Sequence, residues 1–195
     1  MPTLPLKFDP AMRAVLFGPD RLALLPRDRI IDFCRLIDGM TVADLGCGNG
    51  FLLAELSHAV GATGQVLASD LQASMLADAE TLVSDRDLQN VTCALAGEST
   101  IPVPDGSCDR AMLCQVWHNL ADQEAYCAEL ARILKPGGEV IVVNWEPVET
   151  GIGPRVWRRW SQLQTARFLE SVGYTVTRTV QLTWANYGVA ARVSG

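Results

Sequence analysis

VADLGCGNG, Val42 to Gly50, is the stretch whose reading decides the fold. A short apolar, β-rich run passes directly into three alternating glycines, and a helical stretch beginning at Phe51 follows. That strand, turn and helix order is how a doubly wound α/β sheet presents a nucleotide-like ligand to a helix N-terminus. Gly46, Gly48 and Gly50 are expected to turn the chain and to let a ligand approach the backbone with no Cβ in the way. Taken alone, the spacing also fits the loops that hold a dinucleotide pyrophosphate.

Asp44 separates the two ligands. It stands two residues before the first glycine, at the end of the strand, where it repels a pyrophosphate and attracts a cation. Two opposite unit charges ~4 Å apart are worth ~4 kcal/mol at an effective dielectric of 20, before desolvation is counted. S-adenosylmethionine carries a sulfonium and an ammonium group and no phosphate, and so matches that sign. A second acid, Asp70, ends the next β-rich run in QVLASD, about twenty residues beyond the loop, where a carboxylate accepts hydrogen bonds from ribose hydroxyls. Leu71 and Met75 follow it, and either pack on an adenine face or serve as ordinary helix-to-sheet core.

Outward from this centre the chain alternates strands and helices, the rhythm of a parallel sheet with helices on both faces. Strands are predicted over Met40 to Leu45, Gln65 to Ser69, Val91 to Leu95, Arg110 to Cys114 and Glu139 to Asn144. Helices are predicted over Phe51 to Val60, Gln72 to Ser84 and Asp122 to Leu134, the last stopped by KPGG. Arg27 to Ile37 reads as an amphipathic helix ahead of the first strand. Residues 1–26 form a separate N-terminal segment, with a short helix near Ala11 to Phe17 as a candidate lid over the ligand; residues 27–195 form the domain proper. A loop and a helix over Leu163 to Val172 precede two final runs, Thr175 to Leu182 and Tyr187 to Val193. Their short link of Trp184, Ala185 and Asn186 predicts a hairpin at the sheet edge.

Composition bounds the partners. The 195 residues are 49% hydrophobic and 19% charged, with a net charge of −6, which describes a folded, acidic domain with no basic face for nucleic acid or anionic lipid. No apolar run reaches the ~20 residues that span a bilayer, and the opening MPTLPLKFDP lacks a signal-peptide pattern, so a cytoplasmic protein is expected. The six cysteines are scattered without a C-x-x-C pair, which suggests neither a metal site nor a disulfide framework.

Four ordered stretches, VADLGCGNG, VLASDLQASML, ESTIPVPDGSCD and ELARILKPGGEVIVVNWEP, make the chain resemble the class I S-adenosylmethionine-dependent methyltransferases. It is most similar to their small, stand-alone bacterial and archaeal members, from Arg27 to the C-terminus. The resemblance implies a doubly wound, mostly parallel seven-stranded sheet of order 3-2-1-4-5-7-6 with one strand antiparallel. It implies S-adenosylmethionine as cofactor, S-adenosylhomocysteine as product, and a cofactor site at Asp44, Gly46, Cys47, Gly48, Gly50, Asp70, Leu71, Met75 and Gln115. Many relatives carry an adenine-binding Asp where this chain has Gly97, so that role moves to Glu98, with Ser99 beside it.

Methyl transfer from a sulfonium is an in-line displacement, and alignment of donor and acceptor supplies much of the rate. The site of a doubly wound sheet lies beyond the carboxyl ends of its strands, which selects His118 as the candidate base or orienting group and Trp117 and Trp145 as candidate substrate walls. Each has a structural alternative, as a packed histidine or a core aromatic. In RVWRRW, Arg155 is the candidate contact to an aromatic or anionic acceptor. No added domain is left to recognise a macromolecule, so the expected partner is a small-molecule acceptor, and a convergent thiol trio for a metalloid is not evident. Two other functions remain open at this point: a nicotinamide-dependent oxidoreductase and a catalytically idle cofactor-binding protein.

Overall fold

A computed structural model describes residues 8–97 and 100–194. One seven-stranded sheet, β3-β2-β1-β4-β5-β7-β6, runs through the molecule. Its strands are β1 (Thr41–Leu45), β2 (Gln65–Asp70), β3 (Val91–Leu95), β4 (Cys108–Cys114), β5 (Leu134–Trp145), β6 (Tyr174–Gln181) and β7 (Asn186–Val193). The pairs among β1 to β5 are parallel, and β7 lies antiparallel between β5 and β6. The expected strand order and fold class therefore hold, with the C-terminal hairpin inserting β7 inside the edge strand β6.

Alternation along the strands divides the core into two layers. Val42, Met112, Ile141 and Val143 face one apolar cluster, which contains residues of α2 (Arg27–Cys34), α3 (Leu53–Val60) and α4 (Ala73–Asp85). Ala43, Leu45, Ala111, Leu113, Val140 and Val142 face the other, which takes in α5 (Gln123–Ile133) and α6 (Gln162–Ser171). Asp44 has the parity of Val42, so the strand directs a carboxylate where a further aliphatic residue would continue the core. The order reverses between β1 and β4, the switch point at which such sheets open a crevice.

Several boundaries differ from those expected. The helix from Arg27 ends at Cys34, three residues early, because Arg35 takes a left-handed conformation (φ 51°); Ile37 is consequently exposed rather than part of the apolar side. KPGG does stop α5, but the strand has already begun at Leu134. Register then jumps from Cys108 opposite Leu134 to Arg110 opposite Glu139, so Lys135 to Gly138 bulge out. Ahead of the domain, the expected short helix is a 3-10 helix over Pro10–Phe17, capped by the Asp9 side chain accepting from the Ala11 N–H at 3.0 Å, and α1 (Pro19–Leu24) follows. Among the described residues no helix is long and apolar enough to cross a membrane.

Near the amino end of the regular part of β5, Glu139 is 1% exposed and fully partnered. It takes Arg178 at 2.7 Å, Arg192 at 3.2 Å, Arg110 at 3.6 Å and the Thr177 hydroxyl at 3.0 Å. Burial would push its carboxyl up, but the hydrogen bonds from Arg178 and Thr177 hold it below the usual range. Removing one member of such a buried group strands the others. Glu139→Ala is expected to lose about 3–5 kcal/mol in urea unfolding, whereas Arg192→Ala, cut from the half-exposed rim, is expected to lose at most about 1 kcal/mol.

Candidate functional site

The carboxyl ends of β1, β2 and β4 open into a cavity of about 820 Å³, roofed by the N-terminal segment and walled by the segments that follow β4 and β5. The turn after β1 places its backbone against the next strand: the N–H groups of Gly46 and Cys47 both donate to the Ser69 carbonyl, at 2.7 and 2.9 Å. Gly46 has φ 76°, and a Cβ there would fall 2.5 Å from the Val116 side chain. Gly46 lines the cavity, and the space of its missing side chain is filled by the segment after β4. Gly48 lines the cavity, but Gly50 does not; its missing Cβ lets Leu53, Ala79 and Leu82 close together, so its place is in helix packing.

Asp44 lies on the cavity wall at 3% exposure. Among the described residues no hydrogen bond or ion pair reaches its carboxylate, and burial, with a smaller push from Asp70, raises it to about 7. Asp70 is different. Its Oδ2 accepts from the Gly48 N–H and its Oδ1 from the Gln72 N–H, each at 2.9 Å, which ties the glycine turn to the start of α4 and presents the carboxylate at the cavity. Cys47, Leu71 and Met75 line the same end. The Cys47 thiol is pushed far up by burial and is therefore a packing group rather than a nucleophile. Gly97 also lines it, while Glu98 and Ser99 lie outside the described residues.

Gln115 closes β4 with an unusual backbone, φ 65°, a conformation that costs a non-glycine residue about 1–3 kcal/mol. Its side-chain orientation is set by a relay. Asn186 donates through Nδ2 to the Leu24 carbonyl at 3.0 Å, so its Oδ1 is the acceptor that meets Gln115 Nε2 at 2.6 Å. Among the described residues Gln115 Oε1 is buried with no partner.

His118 and Trp145 also line the cavity. Nδ1 of His118 is 2.9 Å from Asn144 Oδ1, so with the ring neutral this nitrogen carries the hydrogen and Nε2 keeps its lone pair. Burial lowers its pKa to about 4, against the hydrogen bond to Asn144 and with the help of Arg158 and Arg159. Trp117 is a correction: it is fully buried, edge-on to Trp160 at 6.2 Å and Phe168 at 5.8 Å, and belongs to the core behind the wall. Arg155 is another, since it is exposed and away from the cavity, while Arg158 lines it.

Arg21, Tyr126 and Arg158 are among the lining residues that were not singled out from the sequence. Arg21, in α1, sits 4.2 Å over the Phe51 ring and donates to the Leu16 carbonyl at 2.8 Å. Tyr126 lies in the first turn of α5, and Arg158 ends the short helix over Val156–Arg158. Arg158 lay inside a motif already marked; Arg21 and Tyr126 left no signal beyond their residue types.

A methyltransferase-domain model matches residues 43–142, just over half of the chain. The chain belongs to that family. Ubiquinone/menaquinone biosynthesis C-methyltransferase UbiE of Shewanella oneidensis is 32% identical over 141 residues, which are 72% of this chain and 55% of that protein. The chain spans about half the length of the curated relatives it matches. A crystal structure of a SAM dependent methyltransferase from Aquifex aeolicus is 33% identical with a TM-score of 0.91, covering 96% of this chain and all of that one. Geranyl diphosphate C-methyltransferase from Streptomyces coelicolor A3(2) shares the fold at 14% identity, with a TM-score of 0.72 over 96% of this chain and 85% of that one.

The unpartnered carboxylate has a measurable consequence in the protein without ligand. With the folded pKa of Asp44 near 7 and the unfolded value near 3.9, the folded state holds the extra proton between those limits. Its stability contribution is present below pH ~4 and lost as pH rises through 7. Asp44→Asn is therefore expected to stabilise the ligand-free fold at pH 8, by up to about 4 kcal/mol, and to change little at pH ~4. Thermal unfolding at the two pH values checks this.

Proposed function

We propose that the chain is an S-adenosylmethionine-dependent methyltransferase that transfers a methyl group in line to a small-molecule acceptor. One observation carries the reading: a buried carboxylate, Asp44, on the cavity wall with no cation of its own among the described residues. A buried charge of this kind is costly unless a partner arrives, and a ligand with positive charge and no phosphate satisfies it. The same sign disfavours a nicotinamide dinucleotide, whose pyrophosphate would meet the carboxylate.

The residues present fit the methyl donor. Asp44 would face its positive charge, Gln115 Oε1 would accept from its ammonium group, and Asp70 would hold the ribose hydroxyls. Leu71 and Met75 would cover the adenine beside Gly97. When bound, the donor supplies a methyl group on a positively charged sulfur.

The chain's own contribution is enclosure and alignment. Phe8, Met12 and Leu16 of the N-terminal segment line the cavity from above and act as its lid. The lid is held by the Gln72 amide donating to the Phe8 carbonyl at 3.1 Å, by Asn49 donating to the Arg13 carbonyl at 3.2 Å, and by the Arg13–Asp78 ion pair at 2.8 Å. His118, neutral throughout the physiological range, serves as a fixed hydrogen-bond acceptor for the methyl acceptor rather than as a protonated acid. The cavity's volume lies within the range of small-molecule sites, about 300–1,000 Å³, which supports a small acceptor.

The experiment is calorimetric titration with S-adenosylhomocysteine. Asp70→Ala is expected to weaken binding by roughly 1.5–3 kcal/mol, the worth of hydrogen bonds to a charged group. Purified wild-type protein that bound a nicotinamide dinucleotide but neither S-adenosylmethionine nor its product would overturn the proposal. Tight donor binding with no transfer across a broad panel of acceptors would instead favour a cofactor-binding protein without turnover.

A further inference from the structure

Arg158 lines the cavity with His118 and Asn119, and Asp122, the carboxylate on that lining segment, caps α5 by accepting from the Ala125 N–H at 2.9 Å. Arg158 donates through Nη2 to the His118 carbonyl and to Asn119 Oδ1, both at 3.2 Å. Among the described residues no carboxylate pairs with it, and neither Nε nor Nη1 has an acceptor. Its neighbour Arg159 is 7% exposed and is wrapped by neutral oxygens: the carbonyls of Val148 at 2.6 Å, Pro154 at 2.7 Å and Ile152 at 3.0 Å, and the Thr150 hydroxyl at 2.9 Å. Its guanidinium lies 4.9 Å from the Trp145 ring centre. Glu149 offsets part of this charge, yet both arginines are felt at His118, where each disfavours a further positive charge.

Arg21, the second cavity guanidinium without a carboxylate among the described residues, stands at the glycine-turn end over Phe51. There it lies over the ring and donates to the Leu16 carbonyl at 2.8 Å. Arg158 is placed differently: it donates to the His118 carbonyl, and Trp145 lines the same cavity. A guanidinium is always charged and offers a planar fork of donors that matches an oxyanion two oxygens at a time.

Resting on the methyltransferase reading, we infer that the acceptor carries an oxyanion, a carboxylate or a phosphate ester. Arg158 recognises it through Nε and Nη1, while an apolar body lies against Trp145 and Ile152. Arg158 is thus a specificity-determining residue, and the neutral Nε2 of His118 is left for a hydroxyl or N–H of the same molecule.

The test uses the 195-residue chain saturated with S-adenosylhomocysteine and three small aromatic probes: benzoate, phenyl phosphate and benzyl alcohol. At least one anion should bind about tenfold or more tightly than the alcohol, and which one does identifies the oxyanion. Arg158→Gln should abolish that preference with the affinity for S-adenosylhomocysteine unchanged, and Arg158→Lys should keep part of it. Equal affinity for the alcohol, no anion binding up to about 10 mM, or a preference that survives Arg158→Gln would overturn the inference. Failure of the wild-type protein to bind S-adenosylhomocysteine would be read separately, as failure of the methyltransferase proposal on which it rests.

Discussion

Asp44 and Glu139 are both buried carboxylates on strands of one sheet, and they are treated in opposite ways. Glu139 is met by three arginines and a threonine hydroxyl, so its charge is satisfied within the fold and its carboxyl stays acidic. Asp44 occupies the next core-facing position after Val42, at the carboxyl end of β1, and among the described residues nothing donates to it. Desolvation without compensation raises it to about 7. A fold selected for stability alone would place an aliphatic residue or an amide there. The rest of the cavity is arranged around that uncompensated charge.

That constraint explains why the surrounding parts take the form they do. The turn after β1 must bring the sheet's centre to the cavity, and Gly46 permits this because the Val116 side chain fills the space of a Cβ. Asp70 cross-links the turn to the beginning of α4 through two backbone N–H groups. Gln115 is held by a relay that passes through β7 to the end of α1, so the hairpin at the far end of the chain helps to orient a group at its centre. Arg158 and Arg159 put positive charge around His118.

Much of this was legible in the sequence because it rests on local rules. The strand and glycine turn, the two acids at strand ends, and the alternation that separates the helical layers follow from periodicity and turn chemistry; the strand order came with the family resemblance. What was misread depends on which side of a wall a residue faces. Gly50 shares the spacing of Gly46 and Gly48 but packs under α4; Trp117 neighbours His118 in sequence yet turns into an aromatic core with Trp160 and Phe168. In RVWRRW, a three-residue helix over Val156–Arg158 sends Arg155 to solvent and brings Arg158 to the cavity. Arg21 needed the tertiary approach of α1 to Phe51, which no pattern in the chain announces.

The central claim is that a cationic ligand supplies what Asp44 lacks, and a proton count tests it most directly. Titration of the protein with S-adenosylmethionine at pH 6.5, in two buffers of different ionisation enthalpy, measures protons exchanged on binding. A carboxyl near 7 that becomes fully charged beside the ligand must release a substantial fraction of one proton, and Asp44→Asn must abolish that release. Binding of equal strength with no proton released, or release unchanged in the variant, would contradict the account.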